Sequence, residues 1–152
     1  MLTITQAPAA LYARYDGSSN FAIVAHKGGE RVRLLVNVIG AYDGVTLLEA
    51  GDQLEVTGQG AWHIELRPLL GVPLLKDTPS GHGDQVVFYP GPAGKLTATH
   101  SGKSNFAVTI YASKGRHLLV NDIGAYSGTV VLPAGPGFLV IEADGDWTIV
   151  LG

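Results

Sequence analysis

The run Leu34-Leu35-Val36-Asn37-Val38-Ile39-Gly40-Ala41-Tyr42-Asp43-Gly44 returns, shifted by 84 positions, as Leu118-Leu119-Val120-Asn121-Asp122-Ile123-Gly124-Ala125-Tyr126-Ser127-Gly128. Only Val38/Asp122 and Asp43/Ser127 differ. Upstream, Gly17-Ser18-Ser19-Asn20-Phe21-Ala22 returns as Gly102-Lys103-Ser104-Asn105-Phe106-Ala107. Downstream, Gly60-Ala61-Trp62-His63-Ile64-Glu65-Leu66 returns as Gly145-Asp146-Trp147-Thr148-Ile149-Val150-Leu151. Three matches in one order, at shifts of 84 to 85 residues, make the chain a tandem duplication, and that periodicity governs every later structural reading.

Within each copy apolar and polar residues alternate, and Gly, Pro, Asn and Asp break the runs at short intervals, the pattern of short antiparallel strands. Trp62, Ile64 and Leu66 share one face with His63 and Glu65 on the other, and Trp147, Ile149 and Leu151 repeat that phase. Phe106, Val108 and Ile110 form a second inward set against Ala107, Thr109 and Tyr111. Two such faces pack as a sandwich. The alternation predicts strands at 10–15, 21–26, 31–37, 45–48, 53–57 and 62–67, then at 85–89, 95–100, 106–112, 117–121, 129–132, 138–142 and 147–151. The expected organisation is an all-β chain with a first repeat over 1–67, a connector over 68–83 and a second repeat over 84–152. Leu69, Leu70, Val72, Leu74 and Leu75 make that connector too apolar for water, while Pro68 and Pro73 remove backbone donors. It is expected to be an extended, partly strand-like segment packed across the two repeats, part of it completing the sheet in front of the second one.

Composition narrows the function. With 46% hydrophobic and 15% charged residues the chain can bury enough apolar surface to offset the entropy of ordering it, so disorder is not expected. Ten Lys and Arg against 13 Asp and Glu give a net charge of -3 without basic clusters, which argues against nucleic acid as a partner. There is no cysteine, hence no disulfide, thiolate metal site or cysteine nucleophile. No apolar run reaches the ~18 residues of a membrane-spanning helix. Met1 to Ala10 has neither a basic n-region nor a continuous apolar stretch, so an extracellular or periplasmic location requires a signal already removed.

Among repeated residues, Asn37/Asn121 with Tyr42/Tyr126 are the candidate ligand-binding set. Asn tolerates left-handed backbone and bonds nearby main chain, and a tyrosine can bury its ring while tying its hydroxyl to backbone, so a structural role in the turn competes with ligand contact. Asn20/Asn105 and Trp62/Trp147 read as structural, the first pair in a turn and the second in the core. None of His26, His63, His82, His100 and His117 is repeated, so the unit itself carries no histidine site. His82 and Asp84 are the one loop pair that suggests acid–base or metal chemistry. No metalloprotease, phosphate-loop, nucleophile-elbow or dinucleotide motif occurs, and no catalytic residue is assigned. Calcium is the one cofactor worth weighing. Its candidates are thin, because Asp16 becomes Ser101, Asp43 becomes Ser127, and Asp144-Gly145-Asp146 faces Gln59-Gly60-Ala61.

The second copy, with its GDxVxF opening, GxSNFxVxxY strand and GxW ending, resembles the bacterial pre-peptidase C-terminal domain, and more closely the repeats of microbial surface proteins that carry SNF, LLVNxIGxY and GxWxI in this order. The resemblance implies two tandem jelly-roll-like antiparallel β-sandwich repeats related by pseudo-two-fold symmetry. In that family the module is appended to secreted enzymes and assists binding or secretion. The expected function is a non-catalytic recognition or scaffold module for carbohydrate or protein at the cell surface. The alternatives are a small hydrolase or isomerase with its site between the repeats, using His82 and Asp84, and a structural subunit that builds a homo-oligomer.

Overall fold

Alternation puts one apolar row per strand on the inside. The computed structural model of the chain, which describes residues 1–152, pairs those rows into four antiparallel sheets, two in each of two units. The first unit, Met1–Gly71, contains β1 (Leu2–Thr3), β2 (Ala9–Tyr15), β3 (Asn20–Lys27), β4 (Glu30–Ile39), β5 (Tyr42–Leu48), β6 (Gln53–Thr57) and β7 (Trp62–Arg67). Its sheets run β1-β6-β3-β4 and β5-β2-β7. Leu11, Ala13, Tyr15, Phe21, Ile23, Ala25, Val36, Leu48 and Leu54 meet between them as the core.

The second unit, Val72–Gly152, adds β8 (Ser80–His82), β9 (Gln85–Tyr89), β10 (Gly94–His100), β11 (Asn105–Ala112), β12 (Gly115–Ile123), β13 (Tyr126–Leu132), β14 (Gly137–Glu142) and β15 (Asp146–Leu151). Its sheets run β8-β15-β10-β13 and β9-β14-β11-β12. Counted within the unit, the orders are first-eighth-third-sixth and second-seventh-fourth-fifth, the nested Greek keys of a jelly roll. The first unit holds strands two to eight of the same order. It has no counterpart of β8.

That missing strand decides the fate of the two tryptophans. Trp147 is 1% exposed and donates from Nε1 to the Gly83 carbonyl at 2.9 Å. β8 lies alongside it, with Gly81 paired to Trp147. Trp62 holds the same place, opposite Tyr15 as Trp147 is opposite His100, yet it is 40% exposed. The alternation assigned both rings to the core. The phase is right for both, but β7 is the last strand of its sheet and nothing seals the ring from the side.

The connector departs from an extended run. It forms two single 3₁₀ turns, Leu69–Gly71 and Leu75–Asp77, before β8. Leu75 enters the core of the second unit, whereas Leu70 stays exposed, so covering every apolar side chain is not what this segment achieves. Between the turns Leu74 bridges Phe88 in parallel, and Phe88 donates its amide to the Pro73 carbonyl.

The drift of the repeat shift from 85 to 84 also has a physical form. Both units carry a bulge in which Leu35 or Leu119 is an extra residue facing the pairs Ile23–Val36/Val24–Leu34 and Val108–Val120/Thr109–Leu118. The first unit has a second bulge, at Val32, between the pairs Ala25–Arg33 and His26–Arg31. One inserted residue is absorbed as a local irregularity and the flanking register survives.

Candidate functional site

Tyr42 and Tyr126 open β5 and β13 and pack on the core phenylalanines, with ring centroids 6.0 Å from Phe21 and 5.8 Å from Phe106. The same phenylalanines stack with Tyr15 at 4.6 Å and His100 at 4.5 Å. Each unit therefore holds a three-ring cluster here. Gly40 and Gly124 make the turn before the tyrosine, at φ +97° and +85°, and their amides donate to the Ser19 and Ser104 carbonyls. Only glycine adopts such a φ without strain, which accounts for its return in both copies.

Asn37 and Asn121 are elsewhere in this string than a turn. They lie within β4 and β12, paired to Ala22 and Ala107, with exposed side chains, and no residue other than glycine has positive φ. The bulge at Leu35/Leu119 sets their direction. Because two consecutive residues, Leu35-Val36 or Leu119-Val120, turn toward the core, Leu34, Asn37 and Ile39 end on one outer face, as do Leu118, Asn121 and Ile123. Leu34 and Leu118 are 55% and 59% exposed, and Ile39 and Ile123 84% and 76%. The neighbouring strand borders the strip, with exposed Asn20 opposite Ile39, half-buried Ala22 opposite Asn37 and buried Val24 opposite Leu34, matched by exposed Asn105, buried Ala107 and half-buried Thr109. Five of these six positions are identical between copies. β4 and β12 are edge strands, so unpaired backbone groups flank the strip.

The outer face of the other sheet behaves in the opposite way. Tyr12, Arg14, Asp43, Val45, His63 and Glu65 in the first unit correspond in the repeat to Thr97, Thr99, Ser127, Thr129, Thr148 and Val150 in the second, and no position is kept. In the first unit it is a charged network. Arg67 sits 4.4 Å over the Tyr12 ring and donates to Glu65, and His63 lies 3.2 Å from Glu65. Partial burial, then the neighbouring Asp43 carboxylate, holds the Tyr12 hydroxyl above its ordinary pKa. Hydrogen bonds from Arg67 and His63 hold Glu65 below its own. In the second unit threonine hydroxyls pair across strands, Thr97 with Thr129 and Thr99 with Thr148.

His82 and Asp84 each engage another part of the chain. His82 Nδ1 is 2.8 Å from Asp146 Oδ1, and Asp84 accepts the Ala143 amide at 2.9 Å. Asp144 is committed to the chain as well: it accepts the amides of Lys103 and Ser104 and faces His100 Nε2 at 3.3 Å. Burial would raise the Asp144 carboxyl, but the two amide donors and His100 bring it below its ordinary value. The buried His100 anchors its other nitrogen on the Gly124 carbonyl at 2.8 Å. No three His, Asp or Glu side chains gather as a metal-binding group.

Of the strip, the sequence singles out Asn37/Asn121, whereas Leu34 and Ile39 escape it because they look like core residues. The signal was their return in both copies. No family model matches the chain, and no curated protein matches its sequence.

Proposed function

We propose that the protein is a non-catalytic recognition module whose two jelly rolls present the same strip to a protein partner. One observation carries the reading: Leu34/Leu118, Asn37/Asn121 and Ile39/Ile123 are exposed in both units and identical in both, while the opposite outer face has changed at every position compared. Solvent-exposed leucine and isoleucine contribute little to a fold, and exposed apolar patches mark interaction sites. Of the expected partner classes, protein fits better than carbohydrate. The strip is aliphatic with amide groups beside an open strand edge, and the tyrosines that would stack on a sugar lie against Phe21 and Phe106. Two copies of one strip on one chain raise avidity for a repeated or dimeric partner. A place at the cell surface, and kinship with pre-peptidase C-terminal domains, belong to the same proposal.

The test is affinity capture from the source cells with the wild-type chain and with Ile39→Asp/Ile123→Asp, followed by calorimetric titration of the purified captured protein. The expected result is binding by wild type, weaker binding by either single variant and none by the double variant. Equal binding by the double variant would reject the strip. Recognition of a glycan on an array, lost with Asn37→Ala/Asn121→Ala, would transfer the site to carbohydrate.

A further inference from the structure

The edge of β7 in the first unit is a place where the second unit shows what is absent. There, β15 is flanked by Ser80–His82: Gly81 pairs with Trp147, Ile149 donates its amide to the Pro79 carbonyl, and Trp147 Nε1 donates to the Gly83 carbonyl. A side chain at Gly81 has no room, since an added Cβ would sit 2.9 Å from Cε2 and 3.0 Å from Cη2 of Trp147 and closer still to Cζ2. In the first unit every element of the acceptor is present. Trp62, Ile64 and Leu66 repeat Trp147, Ile149 and Leu151, and β2 pairs with β7 as β10 does with β15. Ala61, which accepts the Asp16 amide, faces β2, so by strand alternation the amides and carbonyls of Trp62, Ile64 and Leu66 face the open edge. The consequence is measurable in the rings: 40% exposure for Trp62 against 1% for Trp147.

We infer that β7 is an acceptor edge for an extended peptide strand, one that carries glycine opposite Trp62 and a carbonyl two residues further on for its indole N–H. The occupant would add an antiparallel strand to β5-β2-β7 and complete the eight-stranded order that the second unit achieves within its own chain. Main-chain pairing supplies the affinity and the glycine supplies the selectivity, because any Cβ at that position collides with the indole. This site is separate from the strip on β4 and β12, so either can fail without the other.

The probe is the chain's own β8 segment as a free peptide, Thr78 to Asp84 (Thr-Pro-Ser-Gly-His-Gly-Asp), added to the intact protein, with a control peptide carrying Gly81→Val. Two measurements are read: amide exchange of Ile64 in the wild type, and emission of Trp62 in the Trp147→Phe variant. With free peptide at about ten times its dissociation constant, exchange at Ile64 is expected to slow about tenfold. Trp62 emission should shift to the blue, and the valine peptide should do neither. No slowing at Ile64 at millimolar peptide would overturn the inference. So would equal binding of the valine peptide, or a response confined to Ile149, which would report exchange into the second unit instead. Burial of Trp62 on concentrating the chain alone, with no effect of peptide, would make the occupant a second copy and contradict the glycine-bearing partner strand.

Discussion

Gly81→Ala places one methyl group against the best-buried tryptophan of the protein, and its cost follows from comparing the two repeats. The added carbon meets three atoms of the Trp147 ring, so β8 and the indole cannot keep their present contact. If the ring then becomes as accessible as Trp62, 40% of its surface returns to water, roughly 60–100 Å² of the roughly 150–250 Å² such a side chain buries. At about 25 cal/mol/Å² that is roughly 1.5–2.5 kcal/mol. Loss of the indole hydrogen bond to Gly83 adds about 1 kcal/mol, and the stiffer unfolded chain returns about 0.4–1 kcal/mol. The net destabilisation is about 1.5–3 kcal/mol. Urea unfolding followed by tryptophan emission should show it as a lower midpoint with a red-shifted native spectrum. Gly94→Ala, where a Cβ meets nothing within 4 Å, is the control and should be no less stable than wild type, gaining about 0.4–1 kcal/mol from the stiffer unfolded chain. A Gly81→Ala protein with wild-type midpoint and spectrum would show that β8 does not seal Trp147, and the account of Trp62 would fall with it.

The two tryptophans should separate on truncation. Trp147→Ala is expected to cost about 3–5 kcal/mol, and Trp62→Ala no more than about half of that, because its ring is already partly in water; equal costs in denaturant unfolding would refute the difference. Asp144 gives a pH dependence. Its carboxyl titrates lower in the fold than in the unfolded chain, so its contribution is complete above the ordinary aspartate value near 4 and is lost as pH falls through the lower folded value. Wild type should therefore lose more melting temperature than Asp144→Asn between pH 5 and the acid limit, and parallel curves for the two proteins would contradict this.

Much of the fold follows from local pattern. Strict alternation in Trp62–Leu66 and Phe106–Ile110 is a direct consequence of strand geometry, and it located the strands that build both cores. β1 and β8 were missed because two or three residues cannot display a period of two. The exposure of Trp62 was out of reach for a different reason. Alternation fixes which face a side chain takes, whereas the seal over Trp147 comes from β8 and from Gly83 just after it, which lies 64 residues earlier in the chain. The candidate strip was half legible. Repetition drew attention to Asn37/Asn121 and Tyr42/Tyr126, but a one-residue bulge at Leu35/Leu119 reverses the side of Leu34 relative to simple alternation, and bulges leave no mark in composition. The tyrosines belong to the ring cluster with Phe21 and Phe106, while Leu34/Leu118 and Ile39/Ile123 took the exposed places.

The central claim is that Leu34, Asn37 and Ile39, with Leu118, Asn121 and Ile123, are kept for something other than folding. Differential scanning calorimetry of the sixfold variant Leu34→Ser/Asn37→Ala/Ile39→Ser/Leu118→Ser/Asn121→Ala/Ile123→Ser tests it on the protein alone, with no partner required. Exposed substitutions away from caps and cores each stay within about 0.5 kcal/mol, so the variant should unfold in one range with the wild type, losing no more than about 3 kcal/mol over six changes. A variant that fails to fold, or a single member that costs several kcal/mol, would show that these side chains hold the sandwich together and that their return in both copies reports structure rather than recognition.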